Sequence, residues 1–329
     1  MRLELTKTNR KGFVVVVVLC TVVMMGVLLL GFNRKTYADL CAVDDFRKSQ
    51  QALNCARAGL NIAIAAVRNT GNIHTNKTLL NLFSGESPFD VGDGKCFVTV
   101  VEENGKLNIN LLKDHSGNLD RSRIEQLLRL VDVINQEHAE RSSIGYDLVP
   151  SIIDWTDTDE EVTYLPLIKN ENLGAESAYY GRLESPYRCK NAPLDTTDGL
   201  LLVKGVTPQV YDCIRDYITV YGEGKININC APKHVIESLS EKMDSALAQL
   251  IIDRRKIKPF ESIMELQDVP GMTDDVYYTI KKTVTVSPTE RYYNVMSRGN
   301  VDRLDREIVA ILKRNVKAEN VSVIFYKEL

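Results

Sequence analysis

Polar and apolar positions divide the first seventy residues into two regimes. From Phe13 to Phe32 the chain reads FVVVVVLCTVVMMGVLLLGF, twenty positions without a charge. A helix of that length crosses the roughly 30 Å hydrocarbon core of a bilayer. Further on, Ala42, Phe46, Leu53, Ala56, Leu60, Ile64 and Val67 recur at helical spacing, and no proline falls between Phe13 and Arg68. The pattern predicts one helix over these 56 residues, roughly 84 Å long at 1.5 Å per residue. Such a helix is too long for a globular core and suits a spine, half in a membrane (13–32) and half packed on a sheet (33–70). Gly71 is the expected breaker.

Beyond the spine the periodicity changes. Lys95–Glu102 alternates as a strand, Asn104-Gly105 is the pair a type I′ hairpin turn prefers, and Lys106–Leu111 is the expected return strand. Near the other end, Arg306–Asn315 and Asn320–Tyr326 read as a second antiparallel pair. These segments (71–112 and 287–329) predict one small antiparallel sheet. The intervening 113–286 is mainly helical and reads as a domain inserted into that sheet. The fold class expected is therefore α+β.

The insertion contains a near-repeat. Lys204-Gly205-Val206-Thr207…Val210-Tyr211…Ile214…Ile218-Thr219-Val220 aligns with Pro270-Gly271-Met272-Thr273…Val276-Tyr277…Ile280…Val284-Thr285-Val286 at a constant offset of 66. Each copy is a Gly turn, a threonine placed to cap the next helix, and an apolar stripe. Short helices over Asp198–Val203 and Ser262–Val269 precede them, giving two helix-hairpin-helix-like units. Such hairpins bind nucleic-acid backbone through their amides and nearby bases. Here Asp212, Glu265, Asp268, Asp274 and Asp275 lie close by and repel phosphate, so packing is the favoured role. The net charge of −3 likewise argues against a nucleic-acid binder.

The seven cysteines include no CxxC pair, which excludes a zinc ribbon or thioredoxin-like motif. Cys41, Cys55, Cys96, Cys189, Cys213 and Cys230 are either buried thiols or, in an exported body, disulfide partners. The four histidines (His74, His115, His138, His234) show no metal-ligand spacing, and no HExxH, GxSxG or Walker loop is present. No enzymatic activity is expected. One cluster does carry chemistry. Ser151–Glu161 crowds Asp154, Asp157, Asp159, Glu160 and Glu161 together, and Glu176 follows. Such carboxylates are either gathered by a hard cation such as Ca²⁺ or left as a solvated acidic loop. The spacing is not that of an EF-hand.

The leader 1–12 holds Arg2, Lys7, Arg10 and Lys11 against Glu4, which keeps the N-terminus cytoplasmic and sends the remainder across the inner membrane. The length of the apolar run and Arg34-Lys35 weaken an ordinary signal peptide. A generic signal anchor leaves the junction at Gly12 unexplained. Arg10-Lys11-Gly12-Phe13 resembles the type IV prepilin cleavage site, which implies cutting by prepilin peptidase between Gly12 and Phe13 and methylation of Phe13. Pilins usually carry Glu at the fifth mature position; here it is Val17. A buried carboxylate without its neighbour's amine is costly, so Val17 points to a subunit at the tip of a filament.

Taken in order, these pieces resemble the type II secretion minor pseudopilin K (general secretion pathway protein K) family. The resemblance rests on Gly12-Phe13 with Val17, on Glu102-Glu103-Asn104-Gly105-Lys106-Leu107-Asn108-Ile109-Asn110, and on Ile153-Asp154-Trp155-Thr156-Asp157-Thr158-Asp159. It continues through Gly174-Ala175-Glu176 with Tyr179 and Tyr180, Lys190-Asn191-Ala192-Pro193, Val203-Lys204-Gly205, and Ile226-Asn227-Ile228-Asn229-Cys230-Ala231-Pro232. It departs in the long spacer between Glu161 and Gly174, where only Pro166 stands for a proline-rich turn. It also departs at Asp195–Gly199, which lacks an acidic-Leu pair. The resemblance implies a pilin-like sheet with a large helical insertion and calcium in that insertion, with Asp154, Asp157, Asp159 and Glu176 as candidate ligands. It further implies assembly with minor pseudopilins I and J and the major pseudopilin, and a periplasmic body at the pseudopilus tip that serves export of folded proteins. A minor type IV pilin or adhesin, and a membrane-tethered DNA-binding protein, are the alternatives.

Overall fold

A computed structural model of the chain describes residues 10–70, 73, 76–114, 116–137, 143–170 and 172–329. Most of the leader (1–9), the expected breaker Gly71 and three histidines (His74, His115, His138) lie outside the described residues. Helix α1 (Arg10–Asn69) runs unbroken for 60 residues. Its stretch from Phe13 to Phe32 is exposed throughout and is long and apolar enough to cross a membrane. Burial begins at Ala52, and Ala52, Cys55, Ala56, Leu60, Ala63 and Val67 line one face against the sheet. Small residues on both sides make that approach close. A Cβ on Gly299 would meet Ala52 O at 1.9 Å, and one on Gly59 would meet Ser297 Oγ at 2.3 Å. Ser297 Oγ donates to Ala56 O at 2.8 Å, which satisfies the hydroxyl inside the contact.

After α2 (Lys77–Leu82) come β1 (Ser84–Val91) and β2 (Gly94–Glu102). The chain then leaves the sheet and builds the insertion. In order this contains β3 (Leu107–Asn108), α3 (Arg121–Glu137), α4 (Leu148–Thr156), α5 (Ser177–Tyr180), α6 (Pro208–Ile214), β4 (Ile218–Thr219), β5 (Ile226–Asn227), α7 (Lys233–Glu237), α8 (Ser245–Ile257), α9 (Asp274–Ile280) and β6 (Val284–Thr285). The sheet resumes with β7 (Glu290–Val301), β8 (Leu304–Asn315) and β9 (Asn320–Glu328), in the order β1-β2-β7-β8-β9, all neighbours antiparallel. The structure is thus α+β, a long helix on an antiparallel sheet. Among the described residues two apolar cores are present, one between α1 and the sheet and one inside the insertion. The insertion leaves at Glu102 and returns at Glu290, beside the C-terminal end of α1, where the Arg314 guanidinium donates to Thr70 O at 2.7 Å. It therefore sits at the end of the sheet farthest from the apolar half of the helix.

The hairpin predicted at Asn104-Gly105 does not form. Glu103–Gly105 is a 3₁₀ turn, and β3 pairs in parallel with β4 instead of returning along β2. Two tertiary demands override the local turn preference. The Asn104 side chain donates to Glu290 O at 2.9 Å and accepts from Tyr292 N at 2.7 Å. Gly105 presses on the backbone of Cys230 and Ala231, where a Cβ would come within 2.7 Å.

The insertion is built twice. Lys106-Leu107-Asn108-Ile109-Asn110 and Lys225-Ile226-Asn227-Ile228-Asn229 open its two halves. Each half closes by parallel pairing, β3 with β4 and β5 with β6. In the first half Asn110 accepts from Leu194 N at 2.8 Å and donates to Leu194 O and Val220 O. In the second, Asn229 accepts from Phe260 N at 2.8 Å and donates to Phe260 O and Val286 O. Thr207 and Thr273 cap α6 and α9 as the repeat predicts, accepting from Val210 N and Val276 N. Gly205 and Gly271 hold φ of +82° and +86°, the left-handed conformation the turn requires. The segments before them, Thr197–Leu202 and Ile263–Asp268, are 3₁₀ turns in place of α-helices.

Candidate metal centre

Six of the nine residues of helix α4 are apolar and eight are buried, Asp154 among them. The helix stops at Asp157, whose backbone is extended and whose N–H bonds Ile153 O at 3.0 Å. The following loop folds back, with Thr163 N donating to Asp154 Oδ1 at 2.9 Å and Gly174 N donating to Thr163 O. Gly174 lies flat against α4, because a Cβ there would fall 2.1 Å from Asp154 Oδ2 and 2.6 Å from Pro150 O. This contact delivers Glu176, at the start of α5, to the same place.

Asp154, Asp157 and Glu176 each present a carboxylate oxygen, and the three lie within 4.8 Å of one another. Asp154 is fully buried and Glu176 is 2% exposed. Asp154 Oδ2, Asp157 Oδ1 and both Glu176 oxygens are buried without a hydrogen-bond partner. Burial, and then the charges of Asp154 and Asp157, push the Glu176 carboxyl up to about 8. Burial is also the main cause that raises Asp154 and Asp157. Unpartnered, mutually repelling carboxylates inside a protein cost free energy unless a cation gathers them. An all-oxygen, carboxylate-rich set of this kind fits a hard divalent ion such as Ca²⁺.

The fourth candidate, Asp159, stands outside this trio. Its side chain is half exposed; one oxygen accepts from Glu161 N and the other faces Lys113 Nζ at 3.5 Å. Two further residues stand around the trio, Lys113 with no signal of its own in the sequence and Asn191 from the Lys190-Asn191-Ala192-Pro193 segment. Lys113 pairs with Asp157 from 44 positions away. Asn191, with φ of +47°, donates to Asp159 O and Glu160 Oε1 while its own Oδ1 is buried without a partner. Trp155, next to Asp154 in the chain, packs edge-on against Tyr180 at 5.0 Å. All seven cysteines are free thiols, and burial pushes Cys189, whose Sγ donates to Asp154 O, up to about 12. The first hairpin offers phosphate a poor seat, since the Asp147 carboxylate lies 3.5 Å from where a Gly205 Cβ would be.

Sequence models of the family described as type II secretion system (T2SS), protein K match residues 105–223 and 226–287, together more than half of the chain. The break between the two stretches falls where the second half of the insertion begins. The type II secretion system protein K of Aeromonas hydrophila is 25% identical over 173 residues, which are 51% of this chain and 48% of that protein. The matched region thus spans about half the length of that curated relative. Among solved structures, one titled as the crystal structure of the GspK-GspI-GspJ complex from the type 2 secretion system of enterotoxigenic Escherichia coli shares the fold with a TM-score of 0.67 at 18% identity. That match covers 88% of this chain and 99% of the matched chain.

Proposed function

Since the chain belongs to the type II secretion system protein K family, we propose that it is the minor pseudopilin at the tip of the pseudopilus, a structural component in place of a catalyst. In this reading residues 13–32 anchor it in the inner membrane and the body faces the periplasm. Prepilin peptidase cuts between Gly12 and Phe13 and the new N-terminus is methylated. The exposed part of α1 then packs beside the spines of minor pseudopilins I and J, and the assembled tip starts the filament, with the major pseudopilin below it, that drives folded proteins across the outer membrane.

The observation that carries this reading is the place of the insertion. It emerges at the membrane-distal end of the sheet, where a subunit stacked above would have to sit. With Val17 in the spine, there is no carboxylate at that position to meet a neighbour's N-terminal amine. Mass spectrometry of the N-terminus of the membrane form tests the processing step. A chain starting at methylated Phe13 is expected, and an intact 1–12 leader on the assembled protein defeats the proposal. Co-purification tests the assembly, with minor pseudopilins I and J expected in stoichiometric amounts.

The trio Asp154, Asp157 and Glu176 is proposed to hold Ca²⁺. Bound there, the ion supplies the charge that lets three buried carboxylates stay ionised, and it ties α4 to the loop that carries Glu176. A weak site suffices, since extracellular calcium modules bind at about 10⁻⁴–10⁻³ M.

A further inference from the structure

We propose that Lys113 is the built-in counter-cation of the carboxylate trio and sets both its affinity and its preference for divalent ions. This rests on the cation reading of the trio. Lys113 follows the opening strand of the first half and is held there by backbone pairing, its own with Leu119 and that of neighbouring Leu112 O with Asp120 N. Its ammonium reaches Oδ2 of Asp157, whose side chain is 6% exposed. The other oxygen of the same carboxylate, Oδ1, is buried without a partner. Asp157 is therefore placed to face the ammonium with one oxygen and an ion with the other.

The charge count fits. Asp154, Asp157 and Glu176 bring three negative charges and Lys113 cancels one, which leaves the charge of a single divalent cation to be neutralised; Asp159, 3.5 Å from the same ammonium, is half exposed and screened by water. The second half of the insertion provides a contrast. The offset of 119 that superposes its opening strand on the first puts Pro232 at the place of Lys113, and among the described residues no carboxylate trio of this kind lies there.

Two effects of the lysine oppose each other. It orients Asp157 through a hydrogen bond, and it repels an incoming cation. The repulsion is the larger, because a unit charge close to a divalent ion in a partly buried site outweighs one hydrogen bond. Lys113→Met in the full chain, held in detergent, should therefore bind Ca²⁺ at least tenfold more tightly. Tb³⁺ should gain by more than Ca²⁺, because repulsion grows with the charge of the ion. Without ions the same variant should melt earlier than the wild type, and Lys113→Arg, which keeps the charge, should stay near wild-type affinity. Trp155, the single tryptophan, lies beside the site and serves as the sensitiser for Tb³⁺ emission, with Ca²⁺ read by displacement.

Unchanged or weaker Ca²⁺ binding in Lys113→Met, or an unchanged ratio of Tb³⁺ to Ca²⁺ affinity, overturns the role given to Lys113 while leaving the cation site in place. A wild-type chain that shows neither Tb³⁺ emission nor a calcium-induced shift in melting overturns both.

Discussion

The two halves of the insertion share a frame and differ in what fills it. In the second half Asn229 clamps Phe260, 31 positions away, and the enclosed chain is mostly the short helices α7 and α8 with their apolar faces inward. In the first half Asn110 clamps Leu194, 84 positions away, and the longer excursion carries α3, α4 and the acidic loop. The shorter excursion closes on apolar contacts, on the Asn229 clamp and on Arg255, which donates to Ile228 O at 2.6 Å. The longer one includes a loop that sends only Leu165 and Ile168 into the core and leaves Val162, Tyr164, Leu167 and Leu173 exposed. It is instead pinned through Asp154 and Gly174 to three buried carboxylates. On the cation reading, the contrast teaches that an ion acts where chain length outruns apolar burial.

Breaking the shared frame should have the largest effect. Asn229→Ala leaves Phe260 N, Phe260 O and Val286 O without their partner, a cost of about 2–4 kcal/mol for a buried amide with three bonds. Chemical denaturation of the full chain in detergent should show that loss equally with calcium and with chelator. A smaller and more selective effect is expected from Gly174→Ala. The added Cβ lands 2.1 Å from Asp154 Oδ2, so the variant should lose its calcium-induced rise in melting temperature and about 1–3 kcal/mol of stability.

The mildest probe is pH. Glu176 holds its proton up to about 8 in the metal-free fold, far above the ordinary 4.5. The folded state binds more protons than the unfolded one between those values. The contribution of Glu176 to metal-free stability should therefore be fully present below about pH 4.5 and be lost as pH rises through about 8, and Glu176→Gln should flatten that slope. With calcium the trend should reverse sign, since ion binding displaces the proton. Thermal melts across this range, with and without chelator, measure it.

Much of this was legible in the chain itself. The spine was visible because twenty uncharged positions and a proline-free helical stripe leave few other solutions. The threonine caps were visible because their chemistry is local. Asn104-Gly105 misled for the complementary reason: its turn preference is local, but its side chain and its missing Cβ serve contacts almost 190 and about 125 positions away. Strand β1 escaped notice because Gly85, Pro88 and a register shift spoil its alternation. Of the four candidate ligands, Asp154, Asp157 and Glu176 converge, while Asp159 stands apart and half exposed. Lys113 carried no signal, since a lone lysine acquires meaning only when the fold sets it against Asp157.

Hydrogen exchange of the full chain in detergent, mapped by peptide, with calcium and with chelator, tests the difference between the two halves most directly. Protection should rise with calcium across 148–180 and stay unchanged across 226–286, because on the cation reading only the first half is tied by an ion. Equal change in both halves, or none in either, would contradict it.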